Sequence, residues 1–164
     1  MIRSSAALFW LSTAAALLFA LIPGPDWFIA MKPLMLALVL VYFAMEQPEH
    51  VHVGTAFLIG LIADLLSGSL LGEQALRCAV LVYLVLRFRQ RLRFFPLTQQ
   101  TAAVLGLLVN DRVIALWIQL MAGFQLPGGV QWLNLLSTTL LWPWLFLTLD
   151  RLRYRQRPSN GASR

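Results

Sequence analysis

Three charged side chains lie inside runs of otherwise apolar sequence, where a charge must have a purpose. Asp64 interrupts the run from Val53 to Leu71, and Asp111 and Arg112 follow Asn110 inside the run from Thr101 to Phe124. A carboxylate in hydrocarbon costs about 2.5–3.5 kcal/mol on insertion scales, so each acid must face a bundle interior, a wet cavity or a partner. Three roles stay open for Asp64: a buried tie between helices, a proton or substrate group, and a contact with another protein. Ser67, three residues on, can offer it a hydroxyl. Asp111 and Arg112 are adjacent and project about 100° apart on a helix, so each needs a partner elsewhere. An interhelical pair between Asp64 and Arg112 is the pairing this pattern suggests.

Other candidate chemistry is weaker. His50 and His52, with Glu46 and Glu49, have donor types that bind metals, but two histidines at i and i+2 without cysteine are a poor ligand set. Cys78 is a lone thiol in an apolar stretch and reads as packing. There is no phosphate-binding glycine loop, no GxSxG elbow and no HExxH pair. No cofactor or metal is implied.

The elements that position these groups follow from composition. The chain has 164 residues, of which 59% are hydrophobic and only 12% charged, and its mean hydropathy is +0.72. Soluble domains carry about 25% charged residues. A spanning helix needs about 20 apolar residues, so six spans use roughly 120 positions and leave room for loops but not for a soluble domain. The expectation is an all-α polytopic membrane protein forming one domain over 1–164. Its six spans fall near 6–22, 27–45, 53–72, 75–88, 101–124 and 130–149, with a disordered basic tail over 151–164. The second apolar run is short, with Lys32-Pro33 interrupting it, and the sixth contains Pro143 between Trp142 and Trp144, placed with Trp10 and Trp27 in an interfacial aromatic belt. Arg77, near the start of the fourth span, can snorkel to the interface.

Thirteen basic residues oppose seven acidic ones. The arginines cluster beside apolar segments, as Arg87, Arg89, Arg91 and Arg93 and again as Arg151, Arg153, Arg155 and Arg157, which marks a cytoplasmic membrane face rather than a nucleic-acid surface. Six spans place both groups and Arg3 on one side, so both termini are expected to be cytoplasmic. Along the third span Ala56, Gly60, Asp64, Gly68 and Gly72 recur every four residues, a small-residue stripe suited to close helix packing.

The segment from Val53-Gly54-Thr55-Ala56-Phe57 through Gly60 and Asp64-Leu65-Leu66-Ser67-Gly68-Ser69-Leu70-Leu71-Gly72 resembles the MreD family of the bacterial cell-elongation machinery. Pro25-Asp26, Lys32-Pro33, the basic loop after the fourth span and Leu141-Trp142-Pro143-Trp144 also fit, so the resemblance covers nearly the whole chain. It implies a non-enzymatic scaffold of the inner membrane that supports peptidoglycan synthesis and rod shape. It also implies a bitopic MreC-like partner and, through it, MreB, RodA and an elongation-class transpeptidase, with a homodimer as a further possibility within the complex. The implied fold is similar to the membrane substrate-binding subunit of energy-coupling-factor transporters. Asp64 and Asp111 match acids that recur in the family, whereas Arg112 stands where an apolar residue is expected. The alternative reading is a transport subunit holding a small ligand between helices, with Asp64, Ser67, Asn110 and Asp111 as its polar groups.

Overall fold

The computed structural model describes residues 2–24, 34–68, 70–123 and 131–155. Among these are six helices and no strand: α1 (Ile2–Leu21), α2 (Met35–Glu46), α3 (Val53–Ser67), α4 (Glu73–Phe94), α5 (Leu97–Met121) and α6 (Gln131–Arg155). Expectations for Pro25-Asp26, Trp27, Lys32-Pro33, Ser69, the turn at 125–129, Arg157 and the rest of the tail beyond 155 fall outside the described residues, as do the side chains of Arg3, Arg153 and Arg155.

The helix α2 is the core. All residues from Leu36 to Met45 are buried, the signature of a helix apolar on every side. It packs against α1, α4 and α6, while α4 also meets α3 and α5. Aromatic rings knit the centre: Phe9 of α1 lies edge-on to Phe43, and Tyr42 lies edge-on to Phe146 of α6. Trp142 is 0% exposed and belongs to this core, whereas Trp144 on the other side of Pro143 is 76% exposed. The belt reading therefore fails for Trp142, which is a core residue, whereas Trp10 and Trp144 are exposed rings.

Three cross-links fix how the helices run: α2, α4 and α6 are parallel to one another, and α5 is antiparallel to α4. The end of α4 lies beside the end of α2, where Arg93 meets Glu46. The start of α4 lies beside the end of α5, where Gln119 donates to Glu73. The start of α2 lies beside the start of α6, where the Leu34 N–H donates to the Thr138 hydroxyl at 2.9 Å. Arg87–Arg93 and Arg151 consequently share one end of the bundle.

Two helices, α5 over Thr98–Met121 and α6 over Trp132–Leu152, are long and apolar enough to cross a membrane. Others are shorter than the expected spans. The helix α2 has 12 residues, about 18 Å at 1.5 Å per residue, against roughly 30 Å of hydrocarbon. The third span ends at Ser67 instead of running to 72, because Gly68 adopts a left-handed conformation with φ 63°. Conversely, α4 continues through all four arginines to Phe94, leaving only Phe95-Pro96 before α5, and α6 continues through Arg151 to Arg155. The arginines read as a basic loop and the first part of the tail are helical. Large apolar side chains lie exposed around the circumference, among them Leu11, Leu65, Trp117 and Leu140. A bundle dressed this way is suited to lipid contact.

Candidate functional site

The motif Asp64-x-x-Ser67-Gly68-x-x-Gly72 builds the turn joining α3 to α4. Asp64 stands in the last turn of α3 and is 1% exposed. One carboxylate oxygen, Oδ2, accepts from the backbone N–H of Gly72 at 2.9 Å and of Ala75 at 3.2 Å. The other, Oδ1, accepts from the N–H of Gln74 at 2.9 Å. The first N–H groups of any helix lack intrahelical acceptors and carry its positive dipole end. Asp64 fills that role for α4 from the preceding helix, a charge-assisted cap across the turn. Asp64 is thus not an acid awaiting Arg112: backbone amides at the start of α4 claim its oxygens.

The glycines divide by function as well. At Gly60, one turn before Asp64, an added Cβ would lie 2.5 Å from the Ala75 Cα and 2.6 Å from the Gln74 carbonyl oxygen. Its absence lets the first turn of α4 sit against α3, within reach of the Asp64 cap. Gly68 and Gly72 have open space where a Cβ would go, and they are glycines because their φ values are +63° and +98°. The four-residue recurrence read as a packing stripe is therefore one close approach followed by two turn positions. Ser67 is exposed, and its hydroxyl makes no hydrogen bond to a described residue.

Arg77 holds the second acid. Its Nε donates to Asp111 Oδ1 at 3.0 Å and its Nη2 donates to Oδ2, a two-pronged pair joining α4 to α5. The side chains are 11% and 4% exposed. Arg77 also lies 3.7 Å from Glu73, one turn back, and Glu73 accepts from Gln119 of α5 at 3.4 Å. Arg77 thus turns inward rather than snorkelling to the interface. It supplies the partner Asp111 needs, from a position one turn after Glu73 on the side of α4 that meets α5. Arg112 itself is half-buried, forms no ion pair with a described residue, and its Nε lacks a hydrogen-bond partner.

Beside this pair is a cavity of about 230 Å³. Its walls are apolar, from Ala16, Leu17 and Ala20 of α1, Met35 and Leu36 of α2 and Leu81 of α4. Its polar lining is Ser67, Gln74, Arg77, Cys78, Asp111 and Asn134. Asn134 has a buried Oδ1 with no hydrogen-bond partner. Sequence reasoning missed Gln74, Asn134 and the Thr138 link to α2, since polar residues near the ends of apolar runs look like interfacial ones. The histidines do something simpler: the His52 N–H donates to the Thr55 hydroxyl at 2.9 Å, closing the entry to α3. No group of three metal-ligating side chains forms among the described residues.

At the other end the basic residues are also partly used. Arg89 Nε donates to the Met45 carbonyl at 2.7 Å and Arg93 Nε lies 3.4 Å from Glu46, so both arginines tie α4 to the end of α2.

Apolar faces turned outward and polar side chains turned inward, where they join one helix to another, define a helical membrane protein of structural character. The chain belongs to the MreD family: the family model described as rod shape-determining protein MreD matches residues 1–152. A protein of Haemophilus influenzae named rod shape-determining protein MreD is 31% identical over 138 residues, 84% of this chain and 85% of the relative. No solved structure matches the chain. Its place is thus in rod-shape determination.

Proposed function

We propose that the protein is a non-enzymatic scaffold of the cell-elongation machinery, holding an MreC-like bitopic partner in the inner membrane. The observation that carries this is how the intramembrane charges are used. Asp64 caps a helix and Asp111 pairs with Arg77, so the acids rigidify the α3–α4–α5 unit. That leaves a shaped, half-polar recess for a partner segment at the end of the bundle where α2 begins. MreB, RodA and an elongation-class transpeptidase are reached through that partner. The helices cross the membrane six times, with both termini and the arginine-rich end cytoplasmic, in a fold akin to energy-coupling-factor substrate-binding subunits.

The test is co-purification combined with cell shape. The native protein should bring down its bitopic partner in stoichiometric amount. A bulky substitution on the recess wall, Ala20→Trp, should lose the partner and round the cells while the variant still accumulates in the membrane. Reporter fusions at Arg91 and Gln156 should read inside, and a periplasmic signal at Arg91 would overturn the topology.

The cavity favours a second reading, a transport subunit whose small ligand meets Gln74, Arg77 and Asn134. It predicts a small molecule retained through purification and a partner unaffected by Ala20→Trp.

A further inference from the structure

Four arginines occupy every second position near the end of α4, and helical geometry divides them between two faces. Residues four apart share a face, whereas residues two apart point about 200° away from each other. Arg89 and Arg93 share the side of buried Val85 and Leu92, and both are bound to the end of α2. Arg87 and Arg91 lie on the opposite side, exposed, with no hydrogen bond or ion pair to a described residue. The same outward face carries Leu76 and Tyr83 on the apolar side of the arginines and Phe94 beyond them, all exposed.

We propose that Arg87 and Arg91 form a binding site for the phosphate of an anionic phospholipid, with the acyl chains lying along Tyr83, Val80 and Leu76. The charge sequence fits one occupant. Two cations one turn apart can share a single phosphate, and an aromatic hydroxyl at Tyr83 sits at the junction of headgroup and chain. Below it the face is wholly apolar, which a soluble phosphate ester has no use for but a lipid fills. Aromatic rings at this level match the interfacial preference of such side chains. Basic residues beside a membrane surface attract anionic lipid by about 1 kcal/mol each, equivalent to roughly a fivefold affinity change apiece. The inference rests on α4 lying in the membrane and is independent of which protein partner the bundle holds.

Native mass spectrometry of the detergent-solubilised protein, titrated with dioleoyl phosphatidylglycerol or dioleoyl phosphatidylcholine, tests the site. The native chain should retain the anionic phosphatidylglycerol preferentially. Arg87→Gln with Arg91→Gln should lose that preference, by about fivefold per arginine, with thermal stability unchanged. Arg93→Gln, whose native side chain reaches Glu46 on the other side of the helix, should keep the preference. Equal retention of both lipids by the native chain would overturn the proposal, as would an equal loss of preference in Arg93→Gln. Displacement of phosphatidylglycerol by free glycerol 3-phosphate would likewise reject a lipid in favour of a soluble phosphate. Partner recovery measured on the same samples separates failure of this site from failure of the scaffold reading.

Discussion

Replacing Asp64 with leucine removes both oxygens that receive the N–H groups of Gly72, Gln74 and Ala75. Loss of a helix cap alone costs about 1 kcal/mol. Stranding a buried donor costs about 1–3 kcal/mol more, and the Ala75 bond is the buried one of the three. A loss of about 3–5 kcal/mol follows when the partly buried donors are counted at the low end. At about 3 °C per kcal/mol for a chain of this size, the midpoint should fall by roughly 9–15 °C. Asp64→Asn separates the parts of this sum. Asparagine keeps one carbonyl oxygen, enough for the Gly72 and Ala75 donors, but presents its NH2 to the Gln74 N–H. Its loss should be intermediate, about 1–2 kcal/mol. The assay is the surviving monodisperse fraction in detergent after heating, with partner recovery measured on the same samples. A leucine variant within about 0.5 kcal/mol of the native chain would refute the capping account. So would an asparagine variant as damaged as leucine with its complex still intact, because then Asp64 would be needed for its charge and not for its bonds.

Gly60→Ala should destabilise by about 1–3 kcal/mol through overpacking against Ala75, whereas Gly54→Ala, with open space at its Cβ, should leave the thermal midpoint unchanged. Gly68→Ala should cost about 1–2 kcal/mol from left-handed strain, and Gly68→Asn should recover part of it on the same heating assay. Arg77→Leu and Asp111→Leu should each lower stability by about 3–5 kcal/mol, since each leaves one buried charge alone, while the double replacement should be far less damaging; additive losses would disprove the pair. Arg112→Leu should leave stability unchanged or raise it, because a half-buried cation without an ion pair gives way to an apolar residue, and a falling midpoint would show a partner for Arg112.

The fold class was legible because membrane helices announce themselves as apolar runs, and family membership was legible in the Asp64–Gly72 segment. What hid was the segment's meaning. Glycine every fourth residue is what a packing face looks like, and only backbone conformation separates Gly60, which makes room, from Gly68 and Gly72, which turn the chain. The partner of Asp111 was hidden for a related reason. Arg77 stands near the start of an apolar run, where an arginine is ordinarily free to reach water, and the depth of α4 relative to α5 is set by tertiary packing. Helix ends were misjudged where arginines continued α4 and α6, since charge ends an apolar run without ending a helix. Arginine is a good helix former.

The Asp64 cap also orders the assembly of the bundle in time. Its bonds join residues only 8 to 11 positions apart, whereas Arg77 and Asp111 are separated by 34 positions and Leu34 and Thr138 by 104. Closing a segment of about 100 residues costs about 2 kcal/mol more chain entropy than closing one of about 10. The α3–α4 hairpin can therefore form while the remainder of the chain is still being synthesised, with the first turn of α4 already free of unsatisfied amides. Later helices then dock onto a finished edge, and α6, through Thr138, closes the bundle last.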